Sequence, residues 1–152
     1  MIELKNKIKK MKPIIHAKQN QLDQQTLLLN QIRDHKLAAL EKLEKYQREY
    51  IQGVESLNKA RQSPERKGVD VLENSVDYAK SQWYQSLKEV RRTEEKERSQ
   101  LGQVIKAQQS LKSIEQLKER YEFSLNQAMK KAEQKQLDEV ALQNFNRQKI
   151  GS

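Results

Sequence analysis

An all-α antiparallel coiled coil, two long helices folded back on each other as a hairpin, is the architecture this 152-residue sequence predicts, and three observations point to it. Hydrophobic residues make up 35% and aromatic residues 5% of the chain against 34% charged, which is too little apolar material for a thick core. The apolar residues that are present recur at three, four and seven places, the spacing of one helix face, so the composition reads as long helices rather than disorder. The breakers are few, four Gly and two Pro, and concentrate inside the chain only in "RQSPERKGVD", Arg61 to Asp70.

Helix one is expected over about residues 2–62, with a bend near Pro13, because proline has no N–H to give to a helix interior. Within it Leu22, Leu29, Lys36, Leu43, Tyr50 and Leu57 step by seven, flanked by Ile32, Ala39, Leu40, Tyr46, Val54 and Ala60. The turn falls at about 63–69, where Ser-Pro, a charge cluster and Gly68 stand together. Helix two follows over about 70–148, opening at Asp70 and Glu73 in the D-x-x-E spacing of a capping box. Its series is Val69, Val76, Trp83, Val90, Glu97, Val104, Leu111, Lys118, Leu125 and Ala132, joined by Leu72, Ala79, Leu87, Leu101, Ala107, Ile114, Tyr121 and Ala128. A seven-residue repeat sustained this far predicts a coiled coil, with helix two on the order of 110 Å long. Residues 1–150 are thus expected to form one hairpin, and the closing Gly151-Ser152 reads as a cloning remnant.

One stretch breaks the pattern. "RRTEEKERSQ", Arg91 to Gln100, has no apolar residue, and a reversal near residue 66 places it opposite "IRDHKLAAL", Ile32 to Leu40. The charged exception of helix one, Lys36, then falls near Glu94 and Glu97, and the three are expected to form a polar layer that rules out slipped registers at some cost in stability. Simple solvation of charges on a thin seam is the alternative, and Lys36→Leu separates the two: a costly layer predicts a rise in melting temperature.

Helix one reaches a partner only as far as about residue 130, so "KAEQKQLDEVALQNFNRQ" is left overhanging. Leu137, Val140, Ala141 and Phe145 nevertheless give it an apolar face, the mark of a segment awaiting an external partner, with a frayed tail or self-association as the alternative. The chain carries a net charge of +9, and "KNKIKKMK" sets five lysines at the same end, among them Lys5, Lys9 and Lys12. A basic end favours an acidic protein surface, an anionic membrane or nucleic acid. No nucleic-acid partner is expected, because no helix-turn-helix, zinc-finger or basic-zipper pattern accompanies the lysines.

Other function classes are excluded on similar grounds. The absence of Cys rules out thiolate metal sites and disulfides and suits a reducing compartment, and no apolar run approaches a membrane span, so a cytoplasmic protein is expected. His16 and His35 are far apart, no phosphate loop or H-E-x-x-H is present, and the acids alternate with Lys and Arg at helical spacing. We therefore expect no enzyme activity, no cofactor and no metal. What remains is the aromatic set: Tyr46 and Tyr50 one turn apart, with Trp83 and Tyr84 across the seam, rings that two helices cover on one side only.

The segments "LEKYQREYIQGVESL" and "AEQKQLDEVALQNFNRQ" resemble the FliJ/YscO family of type III export proteins, the second through Glu133, Lys135, Asp138, Glu139 and Ala141 in an E-x-K-x-x-D-E-x-A run. Length and Gln-rich basic helices lean towards the injectisome branch, YscO. The resemblance implies a non-enzymatic stalk that enters the pore of the hexameric type III secretion ATPase and links it to the export gate protein and to translocator chaperones. It also implies a cytoplasmic location at the inner-membrane base of the apparatus, peripheral to the membrane through partners. Carried onto this sequence, it makes Leu43, Tyr46, Tyr50 and Trp83 candidates for gate or chaperone contact, and Lys5, Lys9, Lys12, Leu137, Val140 and Phe145 candidates for the ATPase end. A generic coiled-coil adaptor, or an export chaperone without ATPase coupling, is the alternative.

Overall fold

The computed structural model describes residues 1–151, the last by its backbone alone, and contains two helices, α1 (Ile2–Gln62) and α2 (Val69–Gly151). They pack as an all-α hairpin, the class the seven-residue repeat predicts, with no strand among the described residues. Of the pair read as a remnant, Gly151 closes α2 and Ser152 lies outside the described residues.

The chain divides into two compact units. In the first, Gln24–Ile105, the seam is built from buried Leu29, Ala39 and Leu57 of α1 and buried Val76, Ala79, Val90 and Val104 of α2. These are positions of the two heptad series, and burying each of the leucines and valines contributes up to about 1.5–3 kcal/mol, each alanine methyl about 0.8 kcal/mol. Two polar residues, Ser86 and Thr93, are buried in the same seam, and Gln100 is half-buried. Stepping by seven from Ala79 leads to all three, whereas the larger neighbours Leu87 and Leu101, expected in the seam, lie beside it. Leu101 is exposed. Gly53 faces Val76 so closely that a Cβ on the glycine would stand 3.0 Å from Val76 Cγ2.

The reversal runs from Ser63 to Gly68. α1 ends with Ser63 N–H shared between the carbonyls of Lys59 and Ala60, at 3.2 and 3.3 Å. Arg66 and Gly68 both take positive φ, 48° and 76°. Gly68 C=O accepts the first bond of α2, from Leu72 N–H at 2.9 Å, which makes Gly68 the N-cap. This replaces the capping box expected of Asp70 and Glu73. Asp70 sits inside the first turn, where a carboxylate suits the helix dipole, and Glu73 instead accepts from Arg61 Nη2 at 2.8 Å, tying one helix end to the other.

The second unit joins Met1–Asp23 to α2 from Lys106 onward. Met11 and Leu111 are buried, and Leu4, Ile8 and Ile15 of α1 with Ile114, Tyr121, Leu125 and Ala128 of α2 are half-buried. The seam of α1 therefore reaches its first turns, in the segment before the heptads that begin at Leu22. Helix assignment is unbroken across Pro13, whose ring is exposed and whose missing N–H removes one bond from an otherwise continuous ladder. Burial stops at Ala132: every residue from Glu133 to Ile150 is helical and exposed.

Candidate interaction surfaces

The polar stretch of α2 supplies three seam positions, Thr93, Glu97 and Gln100. Glu97 receives Lys36 Nζ at 3.3 Å from Oε2 and Arg33 Nε at 4.0 Å from Oε1. Glu97 Oε2 is shut off from solvent and has no hydrogen bond of good geometry, so Lys36 meets it as a charge and not as an aligned donor. Glu94 is exposed and stands outside this cluster. Thr93 Oγ1 donates to Glu89 O at 2.8 Å, one turn back in its own helix, and Gln100 Nε2 donates across the seam to Gln25, to O at 3.0 Å and Oε1 at 2.6 Å. The Lys36 and Arg33 pairs with Glu97 and the Gln100–Gln25 bonds are α1–α2 contacts with orientation, which a slip of one heptad removes.

The aromatic group lies in the same unit. Tyr50 and Trp83 stack across the seam with centroids 5.4 Å apart, and Trp83 stacks on Tyr84 at 5.8 Å. Lys80 Nζ stands 5.9 Å from the Tyr84 ring, and Lys45 Nζ stands 5.7 Å from that of Tyr46. The structure places Leu43, Tyr46, Tyr50 and Trp83 in the seam, each half-buried. Within this unit the rings most open to a partner are Tyr84, at 50% exposure, and Tyr78, at 62%, which the sequence reading did not single out.

In the other unit, Leu137, Val140 and Phe145 stand on the exposed end of α2, at 64%, 53% and 61% exposure. Leu142 and Ile150 are exposed there too, so the apolar surface is broader than a single stripe. Gln134 Nε2 donates to Asp138 Oδ1 at 3.0 Å along the helix surface. Lys5, Lys9 and Lys12 are exposed at the start of α1, and Lys7 Nζ stands 5.5 Å from the Tyr121 ring. This unit's sequence holds fifteen basic and eight acidic residues, net +7, against fifteen and thirteen, net +2, in Gln24–Ile105.

No group of three or more His, Cys, Asp or Glu among the described residues is placed to hold a metal ion, and none of the described helices is long and apolar enough to cross a membrane. The fold is a two-helix coiled-coil hairpin whose exposed side chains present apolar area and charge. A family model described as flagellar FliJ protein matches residues 6–149. The chain therefore belongs to the FliJ family of flagellar and type III export components related to the export stalk, whose members are cytoplasmic and non-enzymatic and work with the export apparatus. No curated protein and no solved structure matches.

Proposed function

We propose that this chain is the stalk and escort of a type III export system. Its terminal end seats in the pore of the hexameric export ATPase, and the aromatic part of the hairpin meets the export gate and translocator chaperones. The observation that carries the reading is the length of α2 from Glu133 to Ile150, helical, unpaired within the chain, and bearing exposed Leu137, Val140 and Phe145. Apolar side chains held on an unpaired helix are suited to a ring that closes around them. Lys5, Lys9 and Lys12 add positive charge to the same unit. Two unlike helices facing six similar subunits contact only some of them at once, so the stalk biases assembly or firing order without chemistry of its own. Chain length and the basic, Gln-rich helices support the injectisome branch as the finer assignment.

Co-sedimentation and ATP turnover with the cognate ATPase, wild type beside Leu137→Glu/Phe145→Glu, test this. Binding and stimulation lost in the variant are expected. An ATPase that assembles and turns over identically with and without the wild-type chain overturns the stalk reading and leaves an adaptor or an export chaperone without ATPase coupling.

A further inference from the structure

A groove of about 320 Å³ lies between the two helices of the terminal unit. Its floor is apolar, formed by half-buried Ile8 of α1 and Leu125 of α2. Lys5, Lys9 and Lys12 form its rim, spaced by four and three residues, so their ammonium groups share one helix face over two turns, about 10 Å from first to last. The one acid in the lining, Glu122, is already engaged by Lys118 Nζ at 3.7 Å. Among the described residues none of the three rim lysines makes an ion pair.

Three unneutralised like charges above an uncovered apolar floor specify the chemistry of what fits. The occupant brings acids at the same four-and-three spacing and an apolar side chain between them. We infer that the groove docks an acidic amphipathic helix of a partner protein, with Asp or Glu at i, i+4 and i+7 opposite Lys5, Lys9 and Lys12, and an apolar residue covering Ile8 and Leu125. An anionic membrane surface fits less well. It is flat and leaves the floor uncovered, and Lys7, whose ammonium lies over Tyr121 on the helix, does not line the groove. The inference concerns the terminal end that the stalk reading seats in a ring, but it stands on the groove alone.

The test uses the full chain and synthetic helical peptides of Leu-anchored heptads flanked by Glu, with matched Gln and Lys versions, read by fluorescence anisotropy. The Glu peptide is expected to bind wild type about tenfold more tightly than the Gln peptide, with the difference shrinking as salt is added. Lys9→Glu/Lys12→Glu is expected to lose the Glu peptide and gain the Lys peptide. Lys130→Glu/Lys131→Glu, equal in charge change but outside the groove, is expected to leave the preference intact. Circular dichroism confirms that both variants keep their helices. Equal binding of Glu and Gln peptides, or the same loss in both double variants, overturns the inference. So does binding to vesicles of anionic phospholipid without binding to the Glu peptide. A working charge swap beside an ATPase that ignores the chain sinks only the ring reading, and the converse sinks only this one.

Discussion

Gly53 and Val76 approach so closely that a methyl group on the glycine would lie 3.0 Å from Val76 Cγ2. Valine in a helix has one strongly preferred rotamer, so it yields poorly. Gly53→Ala is therefore expected to lower stability by about 1 kcal/mol, overpacking outweighing the gain in helix propensity. Gly102, also inside a helix, has nothing within 4 Å of its Cβ site, and Gly102→Ala is expected to raise stability by about 0.5–1 kcal/mol. Urea denaturation of the two variants should show opposite signs. Equal gains would mean that the Gly53 site is looser than its geometry.

The layer at Lys36 and Glu97 makes a different demand. A layer that is merely costly would let Lys36→Leu raise the melting temperature. Glu97 Oε2 is closed to water and has Lys36 as its near charge, so removing the lysine alone strands a carboxylate oxygen. The Glu97 side chain keeps 23% exposure, which limits the loss to about 1 kcal/mol, or about 2–4 °C in melting temperature. Lys36→Leu/Glu97→Leu removes both charges and is expected to melt higher than wild type. A single variant more stable than wild type would remove the pairing from the account of this seam.

Trp83 and Tyr84 are adjacent and stacked, yet they face different environments. Trp83 is half-buried against Tyr50, whereas Tyr84 is 50% exposed. Trp83→Ala is expected to cost about 2 kcal/mol of stability and Tyr84→Ala about 0.5 kcal/mol. Binding assays against the gate protein or a chaperone then separate anchoring from folding: Tyr84→Ala weakens binding at nearly unchanged stability. If Tyr84→Ala binds as wild type does, Tyr84 is no part of the binding surface.

Leu137→Glu/Phe145→Glu is expected to leave the thermal midpoint within about 1–2 °C of wild type, since both side chains are exposed on a segment that packs on nothing within the chain. A large fall in the midpoint would indicate that the segment is covered in solution, by a second copy for example. The midpoint would then rise with protein concentration.

Much of the fold was legible because a period is a global property of a sequence. Ten positions stepping by seven through α2, with confined breakers, determine two helices, and the turn follows from Pro64 and Gly68. What was harder to read came where hydrophobicity and period disagree. Leu87 and Leu101 looked like core, but the step from Ala79 lands on Ser86, Thr93 and Gln100, and the period prevails because one helix face is all that a second helix covers. Start signals misled similarly: Asp70 and Glu73 have capping-box spacing, but positive φ at Gly68 lets the turn place the N-cap two residues earlier. The exposed apolar end of α2 followed from counting lengths. The groove at Lys5, Lys9 and Lys12 did not, since its floor depends on which α2 residues sit beside Ile8.

The unaccompanied end of α2 also bears on timing. From Glu133 onward the helix has no tertiary packing, so its order rests on intrinsic propensity and a few contacts along its own surface, and it frays at small cost. A partner that grips it spends part of the contact energy on holding it straight, which weakens the complex chiefly by hastening release. On the proposed reading, in which this end enters and leaves an ATPase ring, that economy amounts to a handle held firmly only while the hand is closed.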